Sequence, residues 1–253
     1  MRVFAMRLLS WNVRGLGGAE KRKEVKELVR AKQPFVLCLQ ETKRQLIDDV
    51  LCASIWGSSS FTYSFCPSVG ASGGLLTVWD TSEVDVWASF RGDHFLWIYG
   101  RFINSNDELC LCNVYAPCDQ RAKQFLWTSL ATRVHSLGSA RVCICGDFNS
   151  VRSAEERRSV RGESVVHDVA HFNAFIEDCA LVDLPLGGRK FTWYKGDGRS
   201  MSRLDRFLFS GEWCLRWPNC LQVAHLRGLS DHCPILVSVD SHNWGPRPLR
   251  LLK

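Results

Sequence analysis

Short apolar runs recur along this chain, and polar or glycine-containing segments separate them. Each run has only four to six residues and contains β-branched or aromatic side chains, which predicts strands rather than helices. Several runs are apolar throughout, so we expect their strands to be buried on both faces. The runs cover residues 8–11, 35–39, 75–79, 95–99, 109–114, 142–145, 204–209 and 234–239.

Apolar residues spaced by three and four predict amphipathic helices between some of these runs. One stripe consists of Val25, Leu28 and Val29, and another helix is expected near residues 166–179. Because strands outnumber helices and a helix does not follow every strand, we predict an α/β (α+β) sandwich with helices packed outside the sheets. The clearest stripe comprises Ala122, Phe125, Leu126, Leu130, Val134 and Leu137.

The composition is sufficient for a large core, since 46% of the 253 residues are hydrophobic and 23% are charged. No internal repeat or linker interrupts the pattern, so we predict one domain over residues 1–240. Residues 241–253 include Asn243-Trp244-Gly245-Pro246-Arg247-Pro248, which cannot easily continue a strand or a helix. We expect them to form a C-terminal exit segment.

The twelve cysteines are compatible with disulfides, a zinc site or a reduced core. No Cys-x-x-Cys pair occurs, and the spacing of Cys110 with Cys112, and of Cys143 with Cys145, places each pair on one face of a strand. We therefore predict reduced cysteines in the core. No run approaches the ~18 apolar residues of a membrane helix, and the first residues lack an apolar stretch long enough for a signal peptide, so we expect a soluble intracellular protein without a membrane partner.

Polar side chains cluster where the apolar runs end. Asn12 and Glu41 follow the first two runs, and Asp147 with Asn149 follows the run at 142–145. Groups at the ends of core strands are held rigidly, so these residues are candidates for one site. Further candidates beside the other runs are Asn113, Tyr115, Asp205, Asp231 and His232.

The carboxylates of this set would repel one another if they were buried together without a cation. A hard divalent cation with oxygen ligands removes the conflict, and Mg²⁺ is the natural candidate. His232 offers an imidazole that a carboxylate can hold and polarise, and the amides of Asn12 and Asn149 can orient water or phosphate oxygens. With the phenol of Tyr115, these groups suit the hydrolysis of a phosphate ester.

Each motif also has a structural alternative when it is taken alone. Asp147 and Asn149 are typical of a turn after a strand, and Glu41 could cap a helix. Asp205 lies between two arginines, as in a surface ion pair, and a histidine in a loop is more often structural. The coincidence of all the motifs along one chain favours a functional site.

Six motifs occur in order: Trp11-Asn12, Leu39-Gln40-Glu41, Asn113-Val114-Tyr115-Ala116-Pro117, Gly146-Asp147-Phe148-Asn149, Arg203-Leu204-Asp205-Arg206 and Ser230-Asp231-His232-Cys233-Pro234. Their order and spacing resemble the endonuclease/exonuclease/phosphatase superfamily, which includes exonuclease III, apurinic endonucleases, DNase I and inositol polyphosphate 5-phosphatases. The match runs from about Leu8 to Val239. The resemblance implies a DNase I-like four-layer sandwich, in which helices flank two packed mixed β-sheets.

The resemblance also implies roles for the residues of the site. By this resemblance Glu41 would be the main metal ligand, with Asn12 and Asp231 close by, and the expected ion is Mg²⁺, with Mn²⁺ as a substitute. Asp147 orients or deprotonates the attacking water, and Asn149 positions that water or the phosphate.

The remaining residues are assigned to the phosphate and the substrate. His232, held by Asp205, binds the scissile phosphate, and Tyr115 assists the phosphate or the leaving group. Arg14, Asn113 and Thr192 are assigned to substrate binding, although the strand at 191–193 is also compatible with ordinary sheet packing.

At two places the sequence departs from particular branches of the superfamily that it resembles. Apurinic endonucleases usually carry an aspartate two residues after the first asparagine, where this chain has Arg14. The segment 202–206 lacks the tryptophan-rich approach of the 5-phosphatases. The segments 9–17, 72–79, 191–193 and 243–248 resemble the endonuclease domains of plant LINE-type retrotransposons.

We therefore predict a metal-dependent endonuclease of LINE type that cleaves DNA phosphodiester bonds. Its expected partner is DNA, consistent with a net charge of +6, and we expect a nuclear monomer with a reverse transcriptase domain in the parent element. The alternatives are an apurinic/apyrimidinic endonuclease, a phosphomonoesterase of the same superfamily, and a catalytically silent relic that binds nucleic acid.

Overall fold

The computed structural model describes residues 6–57, 60–70, 72–159 and 166–239, and the predicted exit segment at 241–253 lies outside these ranges. Sixteen strands are assigned within the described ranges: β1 (Arg7–Asn12), β2 (Val36–Gln40), β3 (Phe61–Cys66), β4 (Leu75–Asp80), β5 (Val84–Arg91), β6 (Phe95–Phe102), β7 (Glu108–Tyr115), β8 (Val142–Asp147), β9 (Arg157–Arg158), β10 (Val182–Asp183), β11 (Leu186–Gly187), β12 (Trp193–Tyr194), β13 (Met201–Ser202), β14 (Asp205–Phe209), β15 (Cys220–Ala224) and β16 (Ile235–Val239).

Five α-helices lie in the same part of the chain: α1 (Ala19–Lys32), α2 (Asp49–Trp56), α3 (Gln120–Leu137), α4 (Val166–Asp178) and α5 (Gly211–Arg216). Local sequence explains where two of them begin, because the carboxylates of Asp48 and Asp119 accept hydrogen bonds from free backbone N–H groups in the first turns of α2 and α3. None of the helices described is both long and apolar enough to cross a membrane.

Two large mixed sheets stack face to face and are covered by helices. The first sheet has the strand order β11-β15-β16-β1-β2-β4-β3, and the second has the order β10-β14-β8-β7-β6-β5. Helices α1 and α2 pack on the outer face of the first sheet, and α3 and α4 pack on the outer face of the second. The predicted sandwich of four layers is therefore confirmed.

Three apolar clusters fill the three interfaces between these layers. In β8, Cys143 faces the other sheet, whereas Ile144 faces α3 and α4. In β1, Leu8 faces the other sheet, whereas Leu9 faces α1 and α2. This alternation is expected of strands buried on both faces, and it explains why their sequences are continuously apolar.

The twelve cysteines are all free, and eight of them are buried. Cys143 and Cys145 share the face between the sheets, and Cys110 and Cys112 share the face toward α3 and α4, as predicted. Cys118 departs from the prediction, since it lies exposed in the loop before α3.

The predicted stripe on α3 requires one correction. Phe125 is 76% exposed, because the face that packs on the sheet runs through Lys123, Leu126, Leu130 and Val134. Trp127 also belongs to this face, so the middle of the face lies on the far side of Leu126 from position 125, and Phe125 falls on the opposite side of the helix.

Strand directions bring the polar ends of the strands to one pole of the sandwich. Strands β1 and β2 are parallel and end there, as do the parallel strands β7 and β8. Strands β16 and β14 run antiparallel to β1 and β8, so they begin at the same pole. The ends of four strands and the beginnings of two others therefore surround one surface region.

Candidate active site

The predicted site residues meet at this pole. Asn12 ends β1 and Asp147 ends β8, and the amide of Asn12 donates a 2.9 Å hydrogen bond to the Asp147 carboxylate across the gap between the sheets. Asp205 begins β14 directly opposite Asp147. His232 precedes β16, and the indole N–H of Trp11 donates to its carbonyl oxygen at 3.0 Å.

Asp205, His232 and Asp147 form a buried chain of charged groups. His232 Nδ1 lies 2.8 Å from Asp205 Oδ2, and His232 Nε2 lies 3.7 Å from Asp147 Oδ2. Burial by itself lowers the pKa of His232, but the charges of Asp205 and Asp147 outweigh this effect and raise the pKa to about 9. The imidazole is therefore a cation at neutral pH, with Nδ1 held by Asp205 and Nε2 facing Asp147.

Asp147 is a carboxylate whose proton affinity is raised. Burial is the main cause, the charge of Asp205 adds to it, and the opposing charge of His232 limits the rise, so that the pKa is about 6. The backbone N–H of Asn149 donates to Asp147 Oδ1 at 2.9 Å, while Asn12 donates to Oδ2. A fixed carboxylate that is ionised at neutral pH, yet binds a proton more readily than usual, is suited to orient water and accept its proton.

Asn149 shapes the turn that follows Asp147. Its backbone is left-handed with φ of 47°, and its amide nitrogen donates to the carbonyl oxygen of Ala116 at 2.7 Å. The ammonium group of Lys123 on α3 donates to the carbonyl oxygen of Asn149. The turn that the sequence suggested is present, and it also presents Asn149 beside Asp147.

Glu41 and Asp231 lie on either side of Arg14. Arg14 Nη1 lies 2.9 Å from Glu41 Oε2, and its Nε and Nη2 lie 3.0 and 3.1 Å from the two oxygens of Asp231. Lys43 Nζ lies 3.1 Å from the other oxygen of Glu41. Burial tends to raise the pKa of Glu41, but the bonds from Arg14 and Lys43 outweigh it and lower the pKa. Glu41 is therefore a buried and fully ionised carboxylate.

Strained backbone is concentrated around this region. Among the described residues, seven non-glycine residues have positive φ, and four of them are at the site: Arg14, Glu41, Lys43 and Asn149. Such conformations cost about 1 kcal/mol or more each and persist where the surroundings hold them in place. The loops at this pole therefore hold their side chains in fixed directions at the cost of local backbone strain.

Tyr115 and Asn113, two other predicted residues, differ in their position relative to the site. Tyr115 ends β7 half-buried beside the site, and burial together with the charges of Glu41 and Asp147 raises its pKa. Asn113 is fully buried, and its amide bonds to Gln40 and to the carbonyl oxygens of Leu39 and Leu76. Asn113 thus links the two sheets beneath the site, and its assignment to substrate binding stays a prediction.

Thr192 has a similar supporting position. It is fully buried, and its hydroxyl oxygen accepts hydrogen bonds from the backbone N–H groups of Leu204 and Asp205 at 2.9 and 3.0 Å. Thr192 therefore fixes Asp205, the residue that holds His232, and its assignment to substrate binding stays a prediction.

Sequence reasoning missed two residues that contact the site. Lys43 pairs with Glu41, and the indole N–H of Trp193, which was interpreted as sheet packing, donates to Asp231 Oδ2 at 3.0 Å. A signal for the first was present in the glycines Gly73 and Gly74, whose carbonyl oxygens accept from the backbone of Thr42 and Lys43. These glycines have φ of 75° and 88° and support the loop that carries Glu41.

The arginines that flank Asp205 do not form a surface ion pair with it. Arg206 is fully buried, and Arg203 and Arg206 pair with Glu156 and Asp183 behind the site. The carboxylate of Asp205 therefore pairs with His232 and not with these arginines.

The donor set fits a divalent metal ion in its chemistry. Two carboxylates and an amide oxygen, from Glu41, Asp231 and Asn12, all contact Arg14, so one small region gathers them. Hard oxygen donors of this kind suit Mg²⁺ or Mn²⁺. Nearby, the ligand atoms of Asp147, Asp205 and His232 all lie within 4.8 Å of one another.

Two packed mixed sheets, four layers and a polar site at one pole define a DNase I-like α/β protein. The chain matches the Endonuclease/Exonuclease/phosphatase family over residues 9–232 and belongs to that family.

Three solved structures illustrate the similarity. The AP endonuclease LMAP from Leishmania major has 18% identity and a TM-score of 0.74, over 93% of this chain and 87% of that chain. The APE2 catalytic domain from Xenopus laevis has 19% identity and a TM-score of 0.70, over 92% and 91%. The endonuclease domain of TRAS1, a telomere-specific non-LTR retrotransposon, has 14% identity and a TM-score of 0.68, over 93% and 98%. No curated protein sequence matches the chain significantly.

Proposed function

We propose that this protein is a divalent-metal-dependent endonuclease of LINE type that hydrolyses DNA phosphodiester bonds. The observation that carries the proposal is the buried chain Asp205–His232–Asp147, in which a cationic imidazole faces a carboxylate of raised pKa. Such a pair provides a positive group for a phosphate and a negative group for water within one small region.

His232 would bind the scissile phosphate. Because Asp205 holds Nδ1, the proton on Nε2 remains available to a phosphate oxygen beside Asp147. A hydrogen bond from a cation to a developing anion is stronger than one between neutral groups, so the contact gains strength as charge builds up on the phosphate.

Asp147 would orient the attacking water and accept its proton. Asn12 and the Asn149 backbone each donate to one of its oxygens, so the carboxylate is fixed in position and water can approach its remaining lone pairs. Attack on phosphorus then breaks one P–O bond, leaving a phosphate on one strand end and a hydroxyl on the other. The raised pKa of Tyr115 keeps its phenol protonated, and the phenol would donate to a phosphate or leaving-group oxygen.

Glu41 would hold the divalent ion, together with Asn12 and Asp231. When bound, the ion supplies positive charge that stabilises the charge developing on the phosphate oxygens. The TRAS1 endonuclease domain among the similar structures, and Arg14 two residues after Asn12, support the LINE type. A DNA substrate also supports a nuclear location.

A nicking assay tests the proposal. Purified protein is incubated with supercoiled plasmid in Mg²⁺, in Mn²⁺ and in EDTA, and open-circle product is followed with time. We expect nicking with either metal and none in EDTA. Asp147→Asn and His232→Ala should each lower the rate at least about 100-fold, because both groups act in the transition state.

Asp85→Asn is the matched control for the loss of a carboxylate. Asp85 is exposed and pairs with Arg101 at the opposite end of the second sheet. This variant should nick at the wild-type rate. Folded wild-type protein that fails to nick in either metal, or an Asp147→Asn protein that nicks normally, would overturn the proposal.

Abasic DNA is the second candidate substrate, because two of the similar structures are titled as an AP endonuclease and as APE2. Rates on plain duplex, on duplex with one abasic site and on inositol phosphates distinguish these candidates. A rate on abasic duplex at least 100 times that on plain duplex would favour the repair activity. Salt-dependent DNA binding without cleavage would favour a silent relic.

A further inference from the structure

Arg14 contacts every residue that would hold the metal ion. Its backbone N–H donates to Asn12 Oδ1 at 3.1 Å, and its guanidinium reaches Glu41 by one contact and Asp231 by two. With Lys43 on the remaining oxygen of Glu41, a cationic nitrogen lies on each carboxylate oxygen of this pair of acids. The chain thus carries its own positive charge in the place that a divalent ion would use.

The guanidinium makes two contacts with Asp231 and one with Glu41. Its Nη2 donates a hydrogen bond to Asp231 Oδ2 at 3.1 Å, and its Nε forms an ion pair with Asp231 Oδ1 at 3.0 Å. Glu41 accepts only Nη1, at 2.9 Å. The side chain of Arg14 is 43% exposed, so it has room to turn toward solvent while it stays on Asp231.

We infer that Arg14 is an internal competitor of the metal ion: it must release Glu41 before the ion binds there, and it thereby weakens the affinity of this site for divalent cations. The inference rests on the proposed metal dependence. The guanidinium and a dication compete for the Glu41 carboxylate, because two positive charges on one carboxylate are only a few ångströms apart and repel strongly where water is partly excluded.

The inference also assigns Asp231 a second task. Trp193 donates to Asp231 Oδ2, so this carboxylate is held in place independently of Arg14. After Arg14 leaves Glu41, Asp231 retains the guanidinium at the edge of the site, where it can meet a phosphate of the DNA backbone.

The test measures metal binding without substrate. The dissociation constant of Mn²⁺ is obtained from the electron paramagnetic resonance signal of free Mn²⁺ during titration of wild type, Arg14→Gln and Arg14→Lys. We expect Arg14→Gln to bind at least about tenfold more tightly, which corresponds to about 1.4 kcal/mol. Arg14→Lys should lie between the two, because an ammonium group cannot span both carboxylates.

Lys23→Gln is the matched control, since it removes the same charge from an exposed position on α1, where Lys23 pairs only loosely with Glu27 at 3.9 Å. Its Mn²⁺ affinity should stay within twofold of the wild type. Circular dichroism confirms that each variant is folded. If Arg14→Gln does not fold, Arg14→Lys decides the question.

The outcomes separate this inference from the proposed function. Wild type and Arg14 variants that bind Mn²⁺ equally, or Arg14 variants that bind it more weakly, overturn the inference and leave the metal-dependent nuclease intact. If none of these proteins binds Mn²⁺ at millimolar concentration, both the inference and the metal dependence are overturned. Tighter binding in Arg14→Gln but not in Lys23→Gln supports the inference.

Discussion

The charge on His232 makes the stability of the protein depend on pH in a way that one substitution can isolate. The pKa of His232 is 6.5 when unfolded and about 9 in the folded protein. Because the folded value is the higher one, the stabilisation is fully present below 6.5 and is lost as the pH rises through 9. His232 is almost completely buried, so solvent does not screen the interaction appreciably.

The size of the effect follows from the two pKa values. Each pKa difference of one corresponds to about 1.4 kcal/mol, so from pH 7 to 9.5 the contribution of His232 falls by about 2 to 3 kcal/mol. We expect the stability difference between wild type and His232→Gln to shrink by this amount over that range. The variant is needed because the thiols of the twelve cysteines also titrate in this pH range when the chain is unfolded. Their contribution is the same in both proteins and cancels in the difference.

Urea unfolding followed by tryptophan fluorescence, in EDTA and reducing agent, measures this difference. His225→Gln is the control, because burial, together with the charge of Lys32, lowers the pKa of His225 and leaves it neutral above pH 7. The difference in free energy of unfolding between wild type and His225→Gln should not change with pH over this range. A flat or rising curve for His232 would refute the assignment of a cationic imidazole between Asp205 and Asp147.

Three further substitutions test how the site is held. Gly146→Ala should lower stability by at least about 2 kcal/mol in urea unfolding, because an added Cβ would overlap the carbonyl oxygen of Val114 and φ is 137°. Thr192→Val should cost about 2 kcal/mol or more by leaving the buried N–H groups of Leu204 and Asp205 without their acceptor, whereas Thr192→Ser should be much milder. Asp205→Asn should lower the nicking rate at least about 100-fold and shift the alkaline limit of activity to lower pH, because His232 loses the charge that most raises its pKa.

The central strands were predictable because burial leaves a clear pattern in their sequences. All eight apolar runs became strands, and they are the ones that build the middle of the two sheets. Strands β3, β5 and β15 were not predicted; β3 and β5 lie at the edge of a sheet, and only the two-residue strand β11 separates β15 from an edge. An edge strand meets solvent and lacks a continuous apolar run; in β5 only Val84 is buried.

The site was predictable as a set of residues but not as a set of contacts. Strand ends identified Asn12, Glu41, Asp147 and His232, because parallel and antiparallel directions decide which ends meet. The partners of Arg14 could not be identified in this way, since Glu41 and Asp231 are 27 and 217 positions away. Only the folded structure shows that Arg14, which was predicted to bind substrate, contacts the residues of the predicted metal site.

Buried polar residues were the hardest to interpret. The sequence pattern around Asn113 and Thr192 resembles that of substrate contacts, yet both side chains satisfy backbone or amide groups inside the protein. A buried polar group must find a partner, and sequence does not reveal whether that partner is the protein or a ligand.

The central claim is that distant acidic residues meet around one divalent ion at the pole of the sandwich. Anomalous diffraction from crystals soaked in Mn²⁺ tests it directly. We expect a peak about 2.2 Å from a carboxylate oxygen of Glu41, with the Arg14 guanidinium moved off that oxygen. No peak at this pole, or a peak only at the surface cluster of His135, Asp178 and Cys179, would contradict it.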